Sequence, residues 1–280
     1  MTKQRDIAGE GYWSEEWRGE FDRKPEDERD RGWRNHVTLR FDELFSRFLP
    51  RHAGASTLHV TEIGCARSRW LPYFARRFGA TVSGLDYSEI GCEQARTVLR
   101  EAGVTGTILH GDLFDPPPQM VGAADAVLSW GLVEHFEDTP NIVAALERFV
   151  RPGGLLITVI PNMTGAVGSV QRWLNEYIFK LHVPIDRERL ASAFAGRAGT
   201  MLHHDYFLAC NFWTVNPGKP PQMRAGFVPR VVYRLLTLIT VATWLAERHL
   251  RVRLPAIKRF SPYIVSIWRV ADAPRSTNSP

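Results

Sequence analysis

The run Leu58-His59-Val60-Thr61-Glu62-Ile63-Gly64-Cys65-Ala66-Arg67-Ser68 constrains this chain more than any other stretch. It reads as a short buried strand that ends near an acid, turns through small residues and opens a helix. A second apolar run, Ala80-Thr81-Val82-Ser83-Gly84-Leu85, ends in Asp86, twenty-two residues after Gly64. A strand, a tight turn at a helix N-terminus and a carboxylate at the tip of the next strand form a nucleoside site. The small residues let backbone approach the ligand, and the carboxylate can accept both ribose hydroxyl hydrogens.

The pattern continues downstream. Ile108–Leu113 reads as a third strand ending at Asp112, and Asp125–Phe136 as a fourth strand with its following loop. Val150–Ile160 reads as a helix end, a Pro-Gly-Gly turn and a fifth strand. Helices are expected over Ser68–Phe78, Ser88–Glu101 and Thr139–Phe149, the last opening on a Thr-Pro pair suited to a helix start. One helix is expected over Val167–Leu181 and another over Asp186–Ala195, then a sixth strand, Thr200–Leu208, and a last strand, Tyr263–Val270. Such alternation implies right-handed crossovers and ligands at the carboxyl ends of parallel strands.

The order and spacing of five elements across residues 58–161 resemble the class I S-adenosylmethionine-dependent methyltransferases of the small-molecule type. The resemblance implies an α/β fold: a Rossmann-like, seven-stranded, mostly parallel sheet with helices on both faces, plus a helical cap or insertion. It implies S-adenosylmethionine as cofactor. Asp86, with Tyr87 beside it, would take the ribose hydroxyls, and Asp112 with Leu113 the adenine amino group and ring edge. Glu62 would organise the turn and reach the methionine amino group through water. Gly64, Cys65 and Ala66 would supply backbone contacts. Ser129, Trp130 and Gly131 would lie beside the methyl group, and Tyr12 and Trp13 would fold over the cofactor. Glu134 and His135 are the catalytic candidates. An unperturbed imidazole titrates near neutral pH and can act as a base, while a histidine held by backbone at a helix start is the competing reading.

Two departures stand out. The family usually has glycines where this chain carries Ala66 and Ser68, which matters only if those positions need positive φ. The missing Gly-x-Gly-x-x-Gly argues against a nicotinamide dinucleotide. The family's last two strands normally form a hairpin, whereas here about 50 residues separate them, against the usual 2–5 of a hairpin loop.

That insertion is basic and apolar. Val228–Phe260 holds seven Lys+Arg and one acid, Glu247, and its centre Leu235–Ala246 has 12 uncharged residues, short of the roughly 20 that span a bilayer. Three readings compete: a buried helix pair capping the sheet, a homodimer contact, or an apolar surface rimmed by Arg230, Arg234, Arg248, Arg251, Arg253 and Arg259. The third suits a peripheral contact with anionic lipid, or a pocket for a long apolar acceptor with an acidic head.

The expected organisation is an N-terminal helical lead-in and cofactor lid over 1–50, a methyltransferase core over 51–210, the helical insertion over 211–262, a final strand over 263–271 and a disordered tail over 272–280. In the lead-in, 10 Lys+Arg face 12 Asp+Glu, with Trp17 and Phe21 expected on its core side. A net charge of +5 without basic-aromatic tracts gives no reason to expect a nucleic acid partner. Three scattered cysteines, Cys65, Cys92 and Cys210, fit reduced thiols in a cytoplasmic protein, and no apolar core follows Met1–Asp6 to make a secretory signal. His203-His204-Asp205 is rejected as a metal group, because adjacent strand residues face opposite ways, and no metal is expected. The function expected is methyl transfer to a small-molecule acceptor, apolar or lipid-like. The competing reading is an inactive methyltransferase-like scaffold or membrane-associated binding module.

Overall fold

A computed structural model describes residues 6–19, 24–49, 57–218 and 226–272. Phe21 and the tail beyond residue 272 lie outside them. Among the described residues, two α-helices precede the sheet: α1 (Glu10–Glu16) and α2 (His36–Phe48). The alternating part follows as β1 (His59–Ile63), α3 (Trp70–Phe78), β2 (Thr81–Asp86), α4 (Glu89–Glu101), β3 (Gly106–His110), β4 (Ala124–Trp130), α5 (Thr139–Glu147) and β5 (Val150–Pro161). Then come α6 (Ala166–Leu174), α7 (Glu176–Lys180), α8 (Arg187–Ser192), β6 (Gly199–Phe207), α9 (Phe227–Leu250) and β7 (Tyr263–Val270).

The seven strands are ordered β3-β2-β1-β4-β5-β7-β6. The first five run parallel, and β7 lies antiparallel between β5 and β6. The order reverses between β1 and β4, where Ile63 pairs with Ser129. An open α/β sheet binds ligands at the carboxyl ends of the strands at such a switch point. Aromatic side chains of α2 and α3, led by Phe41, Phe45, Tyr73 and Phe74, bury one face of the sheet. Ile142 and Leu146 of α5 and Leu190 of α8 cover the other.

Several boundaries differ from the sequence reading, each for a local reason. Helix α3 begins at Trp70 because Arg67 is left-handed (φ 55°) and delays the first turn. Ser88 caps α4 from outside, its hydroxyl accepting the Gly91 N–H at 3.2 Å. Pro152-Gly153-Gly154 is absorbed into β5, which starts at Val150 opposite Ala124 and takes up a register shift there. The single helix expected over Val167–Leu181 breaks at Asn175, whose side chain leaves the helix path and accepts the Ile178 N–H at 3.1 Å. Helix α8 is shorter than Asp186–Ala195, since Asp186 is its cap. The sixth strand stops at Phe207 because Leu208 turns to φ 66°.

The insertion is corrected most. It holds one 24-residue helix, α9, and not a buried helix pair. Only Pro229, Thr240, Trp244 and Glu247 of α9 are buried. The charge-free centre undercounts it: α9 is long and apolar enough to cross a membrane, by length and composition.

Candidate functional site

The turn after β1 is built around three close approaches. Gly64 takes φ 77°, and its N–H donates to Leu85 O at 2.9 Å. A Cβ on Gly84 would come 2.6 Å from Cys65 Sγ, so only glycine lets β2 lie against this turn. A Cβ on Gly91 would come 2.7 Å from the Ala66 Cβ. The methyl at Ala66, where the family usually has glycine, is therefore met by a glycine on the facing helix. Ala66 has no positive φ; Arg67 carries the left-handed strain instead. That strain costs on the order of 1–3 kcal/mol. The Arg67 side chain offsets it, bonding Gln94 at 2.7 Å and the carbonyls of Trp17 at 3.0 Å and Gly19 at 2.6 Å, and stacking over the Trp17 ring at 4.9 Å. Through this one residue the turn grips the segment after α1.

Two cavities meet at the switch point. The smaller, about 420 Å³, lies over the ends of β1, β2 and β3, with Asp112, Leu113 and Phe136 in its wall. The larger, about 500 Å³, is lined by six of the chain's nine tryptophans: Trp13, Trp17, Trp70, Trp130, Trp213 and Trp244. Asp6, Gly64, Asp86, Tyr87 and Leu132 border both. Trp130 stacks on Trp70 at 4.9 Å, and Trp244 of α9 packs against Trp213 at 5.0 Å.

Of the sequence-derived candidates, Trp13, Glu62, Gly64, Ala66, Asp86, Tyr87, Trp130, Gly131 and His135 line the larger cavity, and Asp112 and Leu113 the smaller. Four line neither. Tyr12 packs edge-on to Trp13 and towards Tyr177, and burial pushes its phenol up to about 12. Cys65 is fully buried and its N–H goes to Leu85 O. Alternation along β4 turns Trp130 to the cavity and Ser129 away from it, fully buried. Glu134 is 1% exposed, and its Oε2 has no hydrogen-bond partner. Trp17, expected on the core side, faces the larger cavity.

The Asp86 carboxylate accepts the N–H groups of Ala66 at 2.9 Å and Ser88 at 2.8 Å. Burial raises its pKa, and those N–H bonds oppose the rise. Each oxygen keeps a further lone pair for a hydroxyl. Glu62 is fully buried and bonded to the Ser68 hydroxyl, and burial pushes its pKa to about 8. Asp112 accepts the Phe114 N–H at 2.9 Å. The carboxylate at the shared wall, the small-residue turn and the second acid over β3 fit a bound nucleoside with an aminoacyl arm.

Sequence reasoning missed three residues. Asp6 holds α1 over the site: its carboxylate accepts from the Trp13 indole at 2.7 Å, the Tyr87 hydroxyl at 2.5 Å and the Gly9 N–H. Arg67 had been read only as part of the turn. His182 approaches His135 at 4.6 Å between ring centroids, brought in by α7 from 47 positions away, and no local pattern announces it. His135 itself is buried, and burial followed by the His182 charge lowers its pKa to about 3. Its Nδ1 pairs with Leu181 O at 2.7 Å. A carbonyl only accepts, so Nδ1 carries the proton and Nε2 the lone pair. His203 and His204 do part across the strand: His204 bonds Ser266 and Arg187 O, while His203 packs towards Phe48.

Comparison with known proteins bears on this geometry. Residues 60–154 match a family model described as a methyltransferase domain. The ubiquinone biosynthesis O-methyltransferase of Agrobacterium fabrum is 27% identical over 194 residues, 65% of this chain and 76% of the relative. The enzyme of the same name from Aromatoleum aromaticum is 32% identical over 136 residues, 48% of this chain and 57% of the relative. Among solved structures, the geranyl diphosphate C-methyltransferase of Streptomyces coelicolor superposes with a TM-score of 0.52 at 15% identity, over 84% of this chain and 77% of that one.

Proposed function

We propose that the chain, whose residues 60–154 match a methyltransferase domain, is a class I S-adenosylmethionine-dependent methyltransferase that methylates an oxygen of an apolar small molecule held in the tryptophan-lined cavity. The observation that carries this reading is the cavity wall itself: six tryptophans beside a nucleoside-sized cavity, with Asp86 and Gly64 between the two. Aromatic walls favour an apolar ring or chain, and a sulfonium methyl attracts aromatic faces. The oxygen acceptor is suggested by the relatives' names.

Asp86 and Tyr87 would hold the ribose, Asp112 and Leu113 the adenine, and Glu62 the region of the methionine amino group. S-adenosylmethionine, when bound, supplies an activated electrophilic methyl group. The protein's part is alignment and exclusion of water. Trp130 and Trp70 orient the acceptor ring, while α1, tied down by Asp6 and Arg67, covers the site. His135 carries its proton on Nδ1 and a lone pair on Nε2, and its low basicity makes it a poor general base.

Calorimetry with S-adenosylhomocysteine, followed by a methyl-transfer assay on a panel of apolar phenols, tests the proposal. Binding without transfer to any apolar acceptor would support the inactive-scaffold alternative, and absence of binding would defeat the cofactor reading.

A second reading concerns α9. Its outward face carries Phe227, Leu235, Leu238 and Ile239, and the connection to β7 adds Leu254, Ile257 and Phe260, all exposed. Glu247, the only acid in this stretch, is 2% exposed and paired with Arg40 and His36. We read this face as an interfacial helix for an anionic bilayer, because its apolar surface is flanked by Arg230, Arg234, Arg248 and Arg251, and basic charge beside apolar surface complements acidic headgroups. Co-sedimentation with phosphatidylglycerol vesicles should exceed that with phosphatidylcholine alone and fall in Leu238→Glu. Concentration-dependent dimers that bury the same face, with no vesicle binding, would overturn it.

A further inference from the structure

We propose that Glu134, His135 and His182 bind one divalent first-row transition cation at the wall of the tryptophan cavity, where it takes an oxygen of the acceptor. The cation part stands on the donor set alone; the acceptor part rests on the methyl-transfer reading above.

One ligand atom from each of the three residues lies within 4.8 Å of the other two. His135 and Glu134 are buried and His182 is half-buried. The Glu134 Oε2 has no hydrogen-bond partner, and a buried unpaired carboxylate oxygen is costly unless something fills the place. Both imidazoles are already oriented as ligands. His135 Nδ1 pairs with Leu181 O and His182 Nδ1 with Ile178 O, each at 2.7 Å. Both protons therefore sit on Nδ1, and both Nε2 lone pairs are available. Backbone carbonyls behind metal-bound histidines play this part. A further bond joins the two ligand-bearing segments, from Val183 N–H to Glu134 O at 2.6 Å.

The donor set selects the ion. Two imidazoles and one carboxylate suit zinc, manganese, iron or cobalt better than magnesium or calcium, which prefer all-oxygen sites. Three protein ligands leave positions open, as in sites that act on a substrate. Those positions are near the acceptor's space. His135 lines the tryptophan cavity, as does Gly131, whose missing Cβ would stand 3.6 Å from Glu134 Oε1. A bound cation would polarise an acceptor O–H, and the proton would leave to water as the oxygen is readied for methylation.

The test uses full-length protein stripped with EDTA and titrated with Co2+, read by its visible d–d absorption and by competition with Zn2+. One saturable equivalent is expected. Glu134→Gln, which keeps the shape of the side chain, and His182→Asn should each weaken it by at least about tenfold. Both variants should still bind S-adenosylhomocysteine, which shows that they are folded. His203→Ala, outside the cluster, should match the parent. Adding acetohydroxamate, a small bidentate oxygen donor, to the Co2+ form should shift the bands. No saturable Co2+ uptake by the folded parent, or unchanged affinity in both variants, overturns the cation site. Unchanged bands with acetohydroxamate overturn the acceptor part. Loss of S-adenosylhomocysteine binding with Co2+ uptake intact counts against the methyl-transfer reading and leaves the cation site standing.

Discussion

The two cavities are assembled in different ways. Apart from Asp6, Gly9 and Glu10, the smaller one draws every wall residue from Ile63–Phe136, at the ends of strands joined by short crossovers. The larger one collects Trp13 and Trp17 from the N-terminal segment, Asn35 and Thr38 from the start of α2, Trp213 and Trp244 from the insertion and Tyr263 from β7. One is local to the parallel half of the sheet. The other needs the whole chain. The difference implies that a nucleoside pocket can stay constant while the acceptor pocket is rebuilt from appended segments.

Four substitutions probe that division, from the largest expected effect to the smallest. Asp86→Ala strikes the shared wall. It removes charge-assisted bonds to two hydroxyls at about 1.5 kcal/mol or more each, so S-adenosylhomocysteine affinity should fall about 100-fold by calorimetry. Unchanged affinity would move the nucleoside elsewhere and dissolve the comparison.

Glu62→Gln concerns stability. Burial raises the folded-state pKa of Glu62 from 4.5 to about 8, so the folded protein holds this proton more tightly than the unfolded chain does. Its contribution is full below pH 4.5 and is lost as pH rises towards 8. Because the group borders a cavity, we expect a difference of about 2 kcal/mol across that window. Thermal melts of the glutamine variant should lose less stability between pH 5 and pH 8 than the parent, and parallel slopes would show that Glu62 is ionised throughout.

Trp244→Ala opens only the larger cavity. The acceptor KM should rise about tenfold while S-adenosylhomocysteine affinity changes less than about twofold. Equal losses in both would mean that the pockets are one unit. Arg67→Ala is the mildest. It relieves no strain, because alanine is no easier in the left-handed region, but it frees the segment after α1. A few-fold faster proteolytic cleavage near residue 19 is expected, with the sheet intact by circular dichroism.

The smaller cavity was legible in the sequence because its residues sit at fixed offsets from apolar runs: Asp86 ends β2, and Asp112 follows β3 closely. β7, Tyr263–Val270, was legible residue for residue as a nearly continuous apolar run. The larger cavity was not legible, since tertiary contacts build it. Nothing around Trp213 or Trp244 says that they meet. α9 extends past its charge-free centre because the charges that bound that centre, Arg234 and Glu247, lie inside the helix: a long basic side chain can reach water from there, and Glu247 is paired with Arg40 and His36. The break at Asn175 hides within a helical apolar pattern, where side-chain capping outweighed helix propensity. Arg67 supplies the positive φ that had been considered at Ala66, a backbone choice that composition cannot reveal.

The position of β7 orders events during synthesis. Among the described residues it comes latest in the chain, yet it is the strand that pairs with β6 and covers the outer edge of β5. A nascent chain that has emerged as far as Pro161 can pair its five parallel strands, but it carries β5 as a bare edge open to other strands. That edge stays open for about another hundred residues of translation, while α9 emerges with its apolar face uncovered. A chain cut before Tyr263 would keep this state permanently. C-terminal truncations should therefore show up first as aggregation, ahead of any loss of nucleoside binding.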